Sequence, residues 1–245
     1  MEPKISIITV CYNAEDAIEV TILSVLKQDY KNVEYLIIDG LSEDNTMSIV
    51  DKYKSYIDVV ISEKDNGISD AFNKGIKFAS GELICFLNAG DTFLDKKVLS
   101  TVAKDWLEKK VDILFYIMKA GKFGFTPSEN YHNDSSKIWN DMAIPHQACF
   151  CRKKVFSEIG NFDLTLKIRM DYDFFARCVK AGTTYRYISK VITNYDDNGV
   201  SAIPKNRVLF LQEGLAIKKK YRFNVTLKER LKLIKWKLLS WKIRG

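Results

Sequence analysis

The stretch E-L-I-C-F-L-N-A-G-D (82–91) decides how this chain is read. A continuous apolar run, Leu83–Leu87, delivers a polar turn, Asn88–Asp91. Unbroken apolar runs suit strands covered on both faces. A polar turn at the carboxyl end of such a strand is where an open α/β sheet presents side chains to a ligand. Upstream, I-S-I-I-T-V-C-Y-N (5–13) and I-I-D-G-L-S-E-D-N-T (37–46) repeat this grammar. Two further polar stretches, E-K-D-N-G-I-S-D-A-F-N-K-G (63–75) and M-D-Y-D (170–173), each open a helix-like segment.

Working outward, residues 4–10 and 33–39 read as strands, with another at 57–62 and a fourth at 82–88. Ala17, Ile18, Thr21, Ile22, Val25 and Leu26 fall at helical spacing within 14–28. Helices are expected at 68–79 and 95–108, and a strand at 111–117. This alternation predicts a mostly parallel central sheet with flanking helices on both sides. Beyond residue 118 the pattern loosens. Gly121, Gly124 and Pro127 suggest a hairpin and loop, and 127–143 is polar and read as mobile. An apolar stretch (147–151), helices at 153–158 and 170–181, a strand at 184–192 and a loop at 194–201 follow.

The 245 residues are 47% hydrophobic and 12% aromatic, ample for a core in one large α/β domain or two small ones. No apolar run approaches the ~18–20 residues of a membrane span, and M-E-P-K leads straight into a strand, so no signal peptide is expected. The five cysteines read as buried thiols in a reducing cytosol. Cys149 and Cys151 lack a second pair at metal spacing, which argues against zinc. The net charge is +7, yet residues 218–245 alone carry +10, leaving the rest at −3. The charge therefore speaks of the tail's partner and not of the fold.

In order and content the five stretches resemble the family 2 glycosyltransferases, over roughly residues 4–200. The resemblance implies a GT-A type, Rossmann-like α/β fold that binds a nucleotide-sugar. On that reading 1–203 is the glycosyltransferase domain, with a nucleotide-binding half (1–117) and an acceptor half (118–203). Residues 204–245 form a basic, helical, membrane-associating tail.

The resemblance assigns roles residue by residue. Thr9, Tyr12 and Asn13 would line the base and ribose, although Asn13 alone also reads as a helix cap. Asp39 would read the base, uracil in the first instance, with guanine and thymine open. Ser42-x-Asp44-x-Thr46 reads most plainly as a helix N-terminal cap. Asp65, Gly67, Asp70, Asn73 and Lys74 would sit beside the nucleotide. Many family members carry Arg where this chain has Phe72, so Lys74 is the candidate to replace it at the diphosphate. Asn88 and Ala89 would join the nucleotide site. The family's Asp-x-Asp is reduced here to Asp91, the expected ligand of Mg or Mn, which favour carboxylate and phosphate oxygens.

Asp171 aligns with the family's general base, which displacement at an anomeric carbon requires. Carboxylates in a first helical turn are also common as caps, and Asp173 is the weaker candidate. His146, Gln147 and Met170 are expected near the donor or acceptor sugar. For His146 an alternative base and a purely structural role stay open, and His132 is given no role. The loop 196–201 resembles the family's late Gly-x-Ser segment near the diphosphate, or reads as a surface turn.

Residues 226–243 place Leu227, Leu231, Ile234, Leu238 and Trp241 on one stripe, with Lys and Arg mostly off it. Such a helix suits an anionic membrane surface, or packs on the body with a solvated outer face. No nucleic-acid groove is expected. The whole reads as a cytoplasmic, inner-face peripheral enzyme moving a sugar to a lipid-linked glycan with inversion, in cell-surface polysaccharide synthesis. A catalytically weak nucleotide-sugar-binding protein is the alternative. A transferase that makes the donor is disfavoured, because Cys11–Asp16 lacks a Gly- and Arg/Lys-rich loop.

Overall fold

The computed structural model describes residues 1–120, 144–196 and 204–244. The expected hairpin and polar loop after residue 120, and residues 197–201 of the late loop, lie outside the described residues.

Four strands, β1 (Ile5–Cys11), β2 (Val33–Asp39), β3 (Val59–Ser62) and β4 (Leu83–Phe86), pair in parallel around β1. All seven side chains of β1 are buried, as an interior strand covered on both faces demands. Between and after the strands lie α1 (Ile18–Leu26), α2 (Thr46–Asp51), α3 (Ile68–Phe78) and α4 (Val98–Lys109). The alternation expected from sequence is therefore present through residue 109.

The second half departs from a simple parallel continuation. Strands β5 (Thr92–Phe93), β6 (Ile113–Ala120), β7 (Cys149–Arg152) and β8 (Tyr185–Tyr195) complete the sheet. The order is β3-β2-β1-β4-β7-β6-β8-β5. Strand β7 wedges between β4 and β6 and runs antiparallel to both. β6 and β8 are parallel, and β5 is antiparallel to β8. The sheet is thus mixed: the four-strand parallel block of the first half is joined through antiparallel β7 to the parallel pair β6 and β8.

Alternate residues of β1 feed two cores. Ile8 and Val10 pack with Phe72 and Ile76 of α3 and with Phe174 of α6 (Met170–Lys180). Ile5 and Ile7 pack with Ile18 and Ile22 of α1 and Leu99 of α4. α3 lies close on the sheet at Gly75, where a Cβ would come within 2.5 Å of Ile8 Cγ2. All five cysteines are buried and unpaired.

Between α4 and α6, α5 (Lys153–Ile159) follows β7. The C-terminal region is not a free tail. α7 (Arg207–Lys220) packs on α6 through Ile217 against Tyr172 and Ala176. α8 (Leu227–Arg244) starts at a capping box, in which Thr226 N–H donates to Glu229 Oε2 at 2.9 Å. Lys218 of α7 pairs with Glu229 and ties α8 to α7. The stripe Leu227, Leu231, Ile234 and Leu238 faces solvent, 54–71% exposed. Among the described residues no helix is long and apolar enough to cross a membrane.

Candidate active site

A cleft of about 510 Å³ opens where β1, β4 and β8 end and α3 and α6 begin. One wall comes from Tyr12 and Asn13 after β1, and from Asp65 and Gly67 before α3. Asn88, Ala89 and Asp91 form its floor. The opposite wall carries His146, Gln147 and Met170. Ten of the residues expected at the site thus meet in one cleft.

Tyr12 is 60% exposed and offers an open aromatic face at the rim. Asn13 adopts a left-handed φ of 47°, a conformation Asn tolerates. Its Oδ1 accepts the Glu43 N–H at 2.9 Å, so it ties two loops and does not cap α1. Asp44, one residue before the N-cap Asn45 of α2, accepts N–H bonds from Thr46 (2.9 Å) and Glu15 (3.1 Å) and so joins two loops. Asp65 accepts the Gly67 N–H at 2.8 Å and so shapes the start of α3.

Five expected nucleotide contacts stand outside the cleft lining. Thr9 is buried and hydrogen-bonds Tyr35 Oη at 3.1 Å beneath the sheet. Asp39 has no exposure; its carboxylate accepts from the Ser42 N–H (3.0 Å), the Ser42 hydroxyl and the Ser62 hydroxyl (2.6 Å). Its charge is consumed in joining β2 and β3 to the following loop. Asp70 accepts the Asn66 N–H at 3.0 Å. Asn73 exchanges two hydrogen bonds with the Phe162 backbone, at 3.0 and 2.9 Å. Lys74 donates to Lys64 O at 2.9 Å, pairs with Glu63 at 3.1 Å and lies off the cleft lining. Phe72 is core: it stacks on Phe86 at 4.1 Å and meets the His146 ring edge-on at 5.4 Å.

Asp171, the expected base, lies behind His146. Its Oδ1 accepts the Tyr172 N–H at 2.7 Å, and its Oδ2 is 3.1 Å from His146 Nδ1. Asn88 Nδ2 lies 3.1 Å from His146 Nε2. With the Asn88 amide donating to Nε2, Nδ1 carries the proton and donates to Asp171. His146 thereby bridges the β4 turn and the start of α6. Asp173 is a strut: it is 1% exposed and accepts from Arg177 Nε, Lys220 Nζ and Tyr221 Oη, each at 2.9 Å.

Asp91 is 2% exposed and lines the floor. Burial pushes its carboxyl up to about 7, against the hydrogen bond it accepts from Asp196 N–H, the nearby His146 and the Gln147 side chain. Gly90 has φ +96°, and a Cβ there would meet Asp196 Oδ2 at 2.5 Å. The glycine therefore lets a second carboxylate approach the turn. Asp196 carried only the late-loop reading; Lys167, Ile168 and Tyr195, also on the lining, had no sequence cue.

This chain belongs to the family described as "Glycosyl transferase family 2", whose model matches residues 6–176. It is a family 2 glycosyltransferase with a GT-A fold. It is 35% identical over 210 residues to "Putative teichuronic acid biosynthesis glycosyltransferase TuaG" of Bacillus subtilis, covering 79% of each chain. It is 28% identical over 204 residues to a "PGL/p-HBAD biosynthesis glycosyltransferase" of Mycobacterium bovis, covering 80% of this chain and 78% of that one. Among solved structures, S. aureus TarS 1–349 with UDP-GlcNAc superposes at TM-score 0.71 and 21% identity, over 95% of this chain and 71% of that one. Mannosyltransferase PcManGT from Pyrobaculum calidifontis with GDP-Man and Mn2+ superposes at TM-score 0.73 and 18% identity, over 97% and 69%. The chain spans 65% of another TarS 1–349 structure and 39% of a longer TarS chain.

The family implies a divalent cation, and the residues fit one. Asp91 and Asp196 adjoin on the cleft, and Asn88 Oδ1 is buried without a hydrogen-bond partner among the described residues. A desolvated carboxylate beside a second carboxylate and an orphaned oxygen suits a hard cation. Among the described residues no cluster of three or more His, Cys, Asp or Glu is disposed around one point. A cation here would draw further ligands from phosphate and water.

Proposed function

We propose that this chain is an inverting transferase that moves a sugar from a nucleotide-sugar, in the first instance a UDP-sugar, to a hydroxyl of a lipid-linked glycan in cell-surface polysaccharide synthesis. One observation carries the reading: a single cleft joins the Asp91 turn to the His146–Asp171 pair across its width. The relatives' names, teichuronic acid and PGL/p-HBAD biosynthesis, support a surface-glycan product. The UDP-GlcNAc complex of TarS supports the donor class.

The chemistry follows from the geometry. Tyr12 offers a flat face to a base. Asp91, with Asp196 and Asn88, would hold Mg or Mn, which would neutralise the diphosphate of the leaving group. The acceptor oxygen attacks the anomeric carbon while the bond to the nucleoside diphosphate breaks. Asp171 would take the acceptor proton by way of the His146 ring, whose Nε2 receives it in place of the Asn88 bond while the Nδ1 proton passes to Asp171. One displacement with one base inverts the anomeric centre.

The exposed leucine stripe of α8, flanked by Lys228, Arg230, Lys232 and Lys235, would lie on the anionic inner face of the cell membrane, from the cytoplasmic side. A lipid-linked acceptor would be reached there.

A second reading, a weak or inactive nucleotide-sugar-binding protein, is favoured by Asn88 and Gly90 in place of acids. Incubation with UDP-sugars, Mn²⁺ and an extracted lipid-linked acceptor separates the two. Glycosylated lipid with inverted anomeric configuration supports transfer. Nucleotide binding without transfer or hydrolysis supports the second reading.

A further inference from the structure

The loop that leads into α6 carries Lys167, Ile168 and Met170 on the cleft, and Asp171 directly after it. Three successive backbone N–H groups of this loop, of Lys167, Ile168 and Arg169, point at one acceptor. That acceptor is the carboxylate of Glu213, on α7, at 2.8, 3.0 and 2.9 Å. Glu213 is 8% exposed, so these charge-assisted bonds are shielded from water. The same helix grips the loop by a second means. The Arg169 guanidinium lies over the Phe210 ring at 4.1 Å, beside Gly214. At the far end of α7, Lys220 and Tyr221 hold Asp173.

Glu213 lies outside residues 6–176, the span matched by the family model. No part of the chemistry described above uses it. A buried carboxylate that does no chemistry and costs desolvation needs another account. Here it fixes the backbone from which the base projects, and small displacements of a base are costly in rate.

We infer that Glu213 is a positioning residue: α7 holds the loop 167–169, and through it Asp171, in the geometry needed for sugar transfer. This rests on the proposed function for its catalytic consequence. α7 is then a support for the active site as well as the link to α8.

The test uses the full chain with Glu213→Gln and Glu213→Ala, beside Val102→Ala, a buried control on α4. Backbone hydrogen exchange is read for residues 166–171, with UDP affinity and kcat for sugar transfer measured well below each Tm. In Glu213→Gln, loop exchange should rise about tenfold while strands β1 and β4 stay protected. kcat should fall about a hundredfold with UDP affinity changed less than about twofold. Val102→Ala, at equal or greater loss of Tm, should change neither the loop nor kcat. Should Glu213→Ala fail to fold, Glu213→Gln, which keeps the side-chain shape, decides alone.

Unchanged loop exchange overturns the clamp whatever the activity. Faster loop exchange with unchanged kcat overturns the positioning role. A wild-type chain that transfers no sugar refutes the proposed function and the catalytic consequence with it, whereas the exchange measurement judges the clamp separately.

Discussion

His146 Nδ1 and Asp171 Oδ2 lie 3.1 Å apart, and of the two only His146 lines the cleft. The residue expected to act as base therefore faces the cleft through a ring held on its other nitrogen by Asn88.

Asp171→Asn keeps the shape but removes the charge. Turnover should fall about a hundred- to ten-thousand-fold, the usual worth of a general base. UDP affinity should stay near wild type, because Asp171 is not on the cleft lining. His146→Gln should lose a comparable factor if the ring relays the proton. Single-turnover kinetics with titrated UDP check both.

Asp91 has a folded pKa of about 7 against an ordinary 3.8, raised chiefly by burial. Such a shift stabilises the fold below pH 3.8 and is lost as pH rises through about 7. Asp91→Asn should therefore gain in Tm over the metal-free wild type between pH 5 and 8. Mn²⁺ should stabilise the wild type more at pH 8 than at pH 5, and Asp91→Asn little at either. Thermal melts across pH, with and without Mn²⁺, check this; a pH-independent difference would count against it.

Glu34 shows the opposite sign. Burial works to raise its carboxyl, but hydrogen bonds from Ser6, Ser80 and Lys4 hold it down to about 2. That stability is present above pH 4.5 and lost as pH falls through about 2. Glu34→Gln should cost about 1–3 kcal/mol at pH 7, and its deficit should close as pH falls below 4.5. Chemical unfolding at a series of pH values reads it directly.

On α8, Leu231→Ser with Ile234→Ser should leave folding intact, because both side chains face solvent. Binding to vesicles rich in anionic lipid should drop about tenfold or more, since two buried apolar side chains are lost from the interface. Vesicle sedimentation of the two forms checks the claim. Equal binding would assign the attraction to the lysines alone.

How far the sequence reaches is visible residue by residue. The parallel block is written in the unbroken runs Ile5–Cys11 and Val33–Asp39, because burial on both faces leaves no other composition. The place of β7 is not so written: residues 149–151 are apolar whichever strands flank them. The polar turns at Asn88 and Asp91 led to the cleft. Asp39 and Asn73 did not: a carboxylate at a strand end has the same signature whether it binds a ligand or the loop after it, and Asn73 is held by the Phe162 backbone 89 residues away, which no local pattern announces. Glu213 has no local signal, since its partners are 44–46 residues away in sequence.

The central claim is that the cleft between Tyr12 and Asp91 is a nucleotide-sugar site, and nucleotide-dependent thermal stabilisation tests it most directly. UDP, GDP, TDP and CMP would each be added at millimolar concentration, with and without Mn²⁺. The account predicts a marked rise in Tm for UDP that depends on Mn²⁺ and vanishes in Asp91→Asn; a ligand at about 100 times its Kd adds roughly 2.7 kcal/mol. No rise with any nucleotide, with or without the metal, would contradict it.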